Sequence, residues 1–401
     1  MTRVRVVGAG ISGLSAAWFL ARQGVRVEVL DAAPVPGGFI QTIELPQGPV
    51  ETGANGFVWA PAVERLFAAL AIEPMFARRV SRRRCIFRGG RPRRWPLTAR
   101  ETAVTVGRFG GAWLRGRVQP GPGESAAAWG DRVLGEAATA WLLAPALQGI
   151  YGAPAADLSA EAIGIARKRE RVRLAAPRDG MGAVIAALRR ELTARDVTFT
   201  FDRPVAALDP GVPTLVCTGA AAAAPLVAPH HPPLAQAAAR IRSAPLVTAT
   251  AFFEPHEADM RGFGVLFPRG TARALGVLFN TEIFDHGGAL RSERWFYGDA
   301  ALADAPAREI EEAIQKDREL LTGRRDRPIA MHAKGWRAAL PIYDEAVAEA
   351  AAASATLPPW LGVCGNYLGR IGVSALVERA EAEAGRVAGF IASGRFAAGS
   401  D

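Results

Sequence analysis

The stretch that decides the fold is Val4-Arg5-Val6-Val7-Gly8-Ala9-Gly10-Ile11-Ser12-Gly13, then the apolar run Leu14–Leu20, then Val25-Arg26-Val27-Glu28-Val29-Leu30-Asp31. Residues 4–7 read as a short buried strand, residues 14–20 carry helical spacing, and residues 25–30 alternate as a second strand. A glycine-rich turn between strand and helix, with an acid closing the second strand, is a βαβ dinucleotide-binding unit. Gly8 permits the tight turn, Gly10 lets backbone approach a pyrophosphate, and Gly13 lets the helix pack on the strand. Ile11 and Ser12 open the helix, whose unpaired N–H groups and dipole favour phosphates. Asp31, eighteen residues after Gly13, is placed to accept ribose hydroxyls.

Further along, Gly37-Gly38 follows the acid by six residues. This double glycine resembles the second fingerprint of FAD-binding flavoproteins of the amine-oxidase type, and it is another place where backbone meets cofactor without a Cβ. Residues 50–57, Val-Glu-Thr-Gly-Ala-Asn-Gly-Phe, read as a strand ending in a glycine-bracketed turn, with Gly53, Ala54, Asn55 and Gly56 expected near the flavin. Residues 360–374 read as a strand, a glycine-rich loop and a helix start, with Ser374 as N-cap and the helix running to about Ala392. Residues 202–205 and 213–219 read as strands returning to the same sheet. The fold expected is α/β: a Rossmann-type FAD domain (residues 1–74, 176–240 and 345–401), a helical region (75–175) and an inserted α+β substrate-binding sheet domain (241–344).

The chain has 401 residues, half of them hydrophobic and 22% charged, a globular composition sized for two to three domains. Cys85, Cys217 and Cys364 lie far apart with no CxxC, which argues against a disulfide framework and a cysteine zinc site. The net charge is +9, and only Lys168, Lys316 and Lys334 of the 48 basic residues are lysine. Nine arginines fall within residues 78–96 with no acid among them. They read as a solvated loop with one or two members free to bind an anion. The five histidines show no metal spacing, and neither HExxH nor GxSxG occurs. No groove-reading motif points to nucleic acid. The N-terminus leads straight into folded structure rather than a signal peptide, and no apolar run is long enough to span a bilayer.

Over nearly its whole length the chain resembles the protoporphyrinogen oxidase family. The residues that carry the likeness are 51–57, 84–90, Gln148-Gly149-Ile150-Tyr151-Gly152 with Asp157-Leu158-Ser159, 262–268, 275–279, Trp336 through Tyr343, and Gly365-Asn366-Tyr367-Leu368. The resemblance implies FAD as cofactor, a porphyrinogen as substrate and O2 as electron acceptor, with hydrogen peroxide as product. It implies that Arg84 holds a substrate propionate, that Phe263 and Leu266 sandwich the macrocycle, and that Leu278 and Phe296 line the same cavity. Gly149 is expected on a loop over the substrate and Val205 at the adenine. Ile371, Gly372 and Val373 are expected at the flavin ring, with Cys217, Trp336, Gly365 and Asn366 as further cofactor contacts. No catalytic side chain is expected, because hydride loss from a porphyrinogen methylene bridge leaves a pyrrole-stabilised cation, and no metal is expected either.

The sequence departs from the family at Pro341-Ile342-Tyr343 and Asp344-Glu345, and only ten residues separate Val205 from Val216. Proto- and coproporphyrinogen both carry propionates, so both stay open. A related flavin amine oxidase, an oxidase or desaturase of another substrate, and a non-catalytic FAD protein stay open beside them. The chain is expected in the cytoplasm, with residues 78–117, rich in Arg, Trp and Phe, touching anionic membrane.

Overall fold

A computed structural model describes residues 3–166 and 173–394. Five parallel strands form one sheet in the spatial order Thr198–Thr200, Arg26–Leu30, Arg3–Val7, Thr214–Val216, Leu361–Val363. The chain therefore returns to this sheet from its beginning, middle and end. Strands buried on both faces need apolar residues throughout, and Val4, Val6, Leu215, Leu361 and Val363 are fully buried. Helix Ile11–Arg22 packs against the helices Gly182–Thr193 and Val373–Ala392 in one core. Ala16 and Ala17 of the first helix and Ala380 and Ala384 of the last are small residues buried in this core.

The second sheet has seven strands, ordered Ala330–Pro341, Ser243–Phe253, Arg291–Tyr297, Gly276–Phe279, Gly264–Leu266, Arg84–Arg88, Arg91–Arg93. Its two faces have different neighbours, as the two-residue period of a strand allows. Cys85, Phe87, Val265, Phe267, Val277, Phe279, Trp295 and Val247 form a dry core with Ile310 and Ile314 of helix Ala307–Thr322. The opposite face carries Arg84, Leu266, Leu278, Phe296, Leu246 and Trp336. The register fixes this: Leu266 pairs with Gly276, Gly276 with Phe296, Phe296 with Thr248, and Leu246 with Trp336.

Four expectations need correction. Residues 202–205 are not a strand; the strand lies at 198–200, and Val205 sits in an irregular segment against the core behind the parallel sheet. Gly149 lies inside helix Ala144–Tyr151, not on a loop. The N-cap of the last helix is Gly372; Ser374 lies within the helix and its hydroxyl donates to the Val58 carbonyl. The stretch 75–175 is not wholly helical, because the hairpin Arg84–Arg93 adds two strands to the seven-stranded sheet.

Candidate cofactor and substrate site

Three helices begin where parallel strands end. Gly10 caps helix Ile11–Arg22, Gly219 caps Ala220–Val227, and Gly372 caps Val373–Ala392. None has a side-chain cap and none has an acid in its first turn. Each therefore leaves backbone donors and a positive dipole end unsatisfied. A Cβ built at any of these three glycines would meet nothing within 4 Å. The glycine is thus not required by packing at those points; open space lies there instead.

That space is a cleft of about 380 Å³. Gly8, Gly10, Ile11, Ser12 and Asp31 line it, together with Gly37, Gly38, Gly53 and Ala54. Of the other expected residues, Cys217, Trp336, Gly365, Asn366, Ile371 and Val373 also line it. Asp31 also braces the turn, its carboxylate accepting from the Ala9 N–H at 2.5 Å and the Ala33 N–H at 2.7 Å. Other expected residues act behind the wall. A Cβ on Gly13 would lie 1.8 Å from the Gly8 carbonyl oxygen, so Gly13 is a helix-packing glycine. Gly56 is close to the Ala175 carbonyl, and Asn55 accepts from Arg294. Val205 and Gly372 are absent from the lining.

Phe39, Ile40, Thr52, Thr218, Gly219, Leu246, Ala339, Leu340 and Leu376 also line the cleft and were not expected. Thr218 and Gly219 were legible, since they follow a strand and precede a helix as Gly8 to Gly10 do. Leu246, Ala339 and Leu340 come from the other sheet and carry no local signal. A larger, shallower groove of about 670 Å³ along helix Gly182–Thr193 touches none of the uncapped helix starts.

The cleft tests well against FAD. It offers three uncapped helix starts for a pyrophosphate and a flavin pyrimidine, one acid for a ribose, and apolar walls from Leu246, Trp336 and Leu376. Among the described residues no three His, Cys, Asp or Glu gather to hold a metal. Cys217 and Cys364 follow the paired residues Val216 and Val363 and touch through their thiols. That contact, then burial, pushes the Cys217 thiol well above its ordinary range.

The expected substrate residues gather on the seven-stranded sheet. Phe263 is flanked by Gly262 and Gly264, with φ of 147° and 153° that side chains rarely adopt, and it packs beside Leu278. The Arg84 guanidinium lies over the Phe263 ring at 4.5 Å. Arg84 is exposed, and among the described residues no carboxylate lies within ion-pair distance of it. A Cβ on Gly149 would lie 2.7 Å from Leu266 Cδ2, so the helix carrying Gly149 rests on Leu266. Phe296 completes the face and stacks near the Arg294 guanidinium at 5.1 Å. Lys334 is exposed on the same face, its ammonium 5.0 Å from the Trp336 ring centre.

Fold and site together define a Rossmann-type dinucleotide-binding protein whose fold matches flavin amine oxidase structures and whose cleft FAD would fit. Residues 6–70 match the NAD(P)-binding Rossmann-like domain family. A stretch of 68 residues is 41% identical to hydroxyneurosporene desaturase of Rhodobacter capsulatus, covering 17% of this chain and 14% of that protein. Among solved structures, a candidate protoporphyrinogen oxidase from Exiguobacterium is 16% identical with a TM-score of 0.78, covering 96% of this chain and 98% of its own. Cyclohexylamine oxidase from Brevibacterium oxydans is 17% identical with a TM-score of 0.76, covering 98% of this chain and 99% of its own.

Proposed function

We propose that the chain is an FAD-dependent oxidoreductase of the amine-oxidase superfamily that dehydrogenates a largely apolar substrate bearing a carboxylate, a porphyrinogen being the substrate class that fits best. One observation carries this: the half-buried face of Leu266, Leu278, Phe296 and Phe263 ends at Arg84, a cation without a carboxylate partner. A propionate there gains a charge-assisted hydrogen bond while the ring lies on the apolar wall. FAD held against the glycine-rich turns Gly8–Gly13 and Gly37–Gly38 would supply hydride acceptance, the hard part of the chemistry, and the protein supplies orientation and exclusion of water. Arg84 and Lys334 both place positive charge on this face, which disfavours a protonated amine.

A second reading, dehydrogenation of a neutral polyene, is the one the curated relatives favour over a porphyrinogen, through the identity to hydroxyneurosporene desaturase. It uses the same apolar wall and gives Arg84 no partner. Aerobic turnover separates the two. A porphyrinogen oxidase yields fluorescent porphyrin and three hydrogen peroxide molecules per porphyrin, since six electrons leave in three flavin cycles. Absence of porphyrin above the uncatalysed rate sinks the first reading.

Contact with anionic membrane belongs to the same proposal. Helix Ala99–Leu114 is fixed by the Thr98/Glu101 capping box and by the Arg88–Glu101 ion pair, yet Ala112 is its only buried residue. Val106, Phe109 and Trp113 recur on one side of it, 67%, 43% and 66% exposed, beside exposed Trp95. Arg91, Arg94, Arg100, Arg115 and Arg117 are exposed around them. Aromatic side chains at the headgroup level with arginines beside them suit an anionic bilayer surface. No described helix is long and apolar enough to cross a membrane.

A further inference from the structure

Two consecutive carbonyls of the loop lining the cleft are held from behind by side chains of the seven-stranded sheet. The Thr52 carbonyl accepts from Thr248 Oγ1 and from Trp336 Nε1, both at 3.0 Å. The Gly53 carbonyl accepts from Arg294 Nη2 at 2.5 Å, and Arg294 Nη1 reaches Asn55 Oδ1 at 3.3 Å. In a trans peptide the N–H points away from the preceding C=O, and among the described residues no peptide bond is cis. With these two carbonyls turned to the sheet, the N–H groups of Gly53 and Ala54 turn the other way, toward the cleft both residues line.

Arg294 is completely buried, and its Nε has no partner. Among the described residues no carboxylate lies within ion-pair distance of it. Burial lowers its guanidinium to about 10, with Glu51 opposing the shift, so it stays charged at neutral pH. Glu51 is itself raised, chiefly by its own burial. A buried cation without an ion pair is costly, and neutral hydrogen bonds would suffice to hold a loop.

We propose that Arg294 is a positioning residue for the cofactor: it aims the Ala54 N–H at the flavin, as Thr248 and Trp336 aim that of Gly53, and places a positive charge with no ion-pair partner behind them, so that the site holds reduced, anionic FAD more tightly than oxidised FAD. This rests on the FAD reading. The test compares FAD-loaded parent, Arg294→Met and Arg294→Lys by dye-equilibrated midpoint potential, which reports the ratio of affinities for reduced and oxidised cofactor. Arg294→Met lowers that ratio at least tenfold, a fall of about 30 mV for a two-electron couple, and Arg294→Lys keeps it within about threefold. A role confined to loop shape weakens FAD binding in both variants and leaves the potential where it was. Arg294→Gln replaces Arg294→Met if the latter does not fold, and if neither yields FAD-loaded protein, Arg294 serves loop shape and the proposal is overturned. An unmoved potential in Arg294→Met, or an equal fall in Arg294→Lys, overturns it too. A parent that binds no FAD sinks the FAD reading instead, so the two failures are distinct.

Discussion

Gly10 offers the sharpest separation between a glycine kept for a ligand and one kept for packing. It has φ −74° and ψ −177°, ordinary extended backbone, and a Cβ there would meet nothing within 4 Å. Gly10→Val therefore strains nothing in the protein itself. The loss is confined to cap preference, worth about 1 kcal/mol or less, and to a melting shift of roughly 4 °C at most. The same methyls would occupy the mouth of helix Ile11–Arg22, where the pyrophosphate of a bound FAD would lie. Losing one charge-assisted hydrogen bond there costs about 1.5–3 kcal/mol, a ten- to hundred-fold weaker hold on FAD. Gly13→Ala is the contrast, since its Cβ would fall 1.8 Å from the Gly8 carbonyl oxygen and force the helix off the strand. The assay pairs thermal melting with FAD titration of deflavinated protein. Gly10→Val should melt within a few degrees of the deflavinated parent and bind FAD about ten- to hundred-fold more weakly; deflavinated Gly13→Ala should melt early. A Gly10→Val protein with parental FAD affinity refutes the placement of the cofactor on this turn.

Arg84→Ala should raise KM about ten- to hundred-fold and leave kcat nearly unchanged, because the guanidinium lies away from the reacting carbon; an unchanged KM would hand the carboxylate to another arginine. Vesicles of anionic lipid should pull the protein down at low salt and release it as salt rises, whereas neutral vesicles should not. Equal recovery on both would return helix Ala99–Leu114 to plain solvent exposure. Burial, and then Lys334, hold the His332 imidazole below its ordinary range, so the unfolded chain takes up that proton first. Stability is full above about pH 6.5 and is lost as pH falls below it; His332→Gln should shrink the loss between about pH 7.5 and about pH 5.5, and an identical loss in both proteins would show that His332 contributes none of it.

How much was legible follows from how local each signal is. The turn Gly8–Gly13 and the strand ending at Asp31 read correctly because periodicity, glycine and acid all fall within about thirty residues of chain. The last helix read correctly to its end near Ala392, but its N-cap is Gly372 and not Ser374. Val205 was misplaced because Pro204 beside it suits an extended segment as well as a strand edge, and pairing with Glu28 to Leu30 chose residues 198–200 instead. Gly149 was expected on a loop only through the family resemblance; the Leu266 side chain needs a residue without Cβ there, and a helix supplies it. Trp113 and Phe109 fitted helix core equally well by spacing; only the neighbours of the helix decide that they face outward. The clamp of Thr248, Trp336 and Arg294 on residues 52–55 joins positions some two hundred residues or more apart, and no spacing rule reaches that far.

The most direct test of the central claim is anaerobic mixing of the FAD-loaded protein with proto- and coproporphyrinogen, a neutral hydroxylated polyene and a panel of primary amines, following loss of the visible flavin absorbance. The account predicts rapid bleaching by at least one porphyrinogen, slower or no bleaching by the polyene, and none by the amines. Bleaching by the polyene or an amine alone, with both porphyrinogens inert, would contradict it.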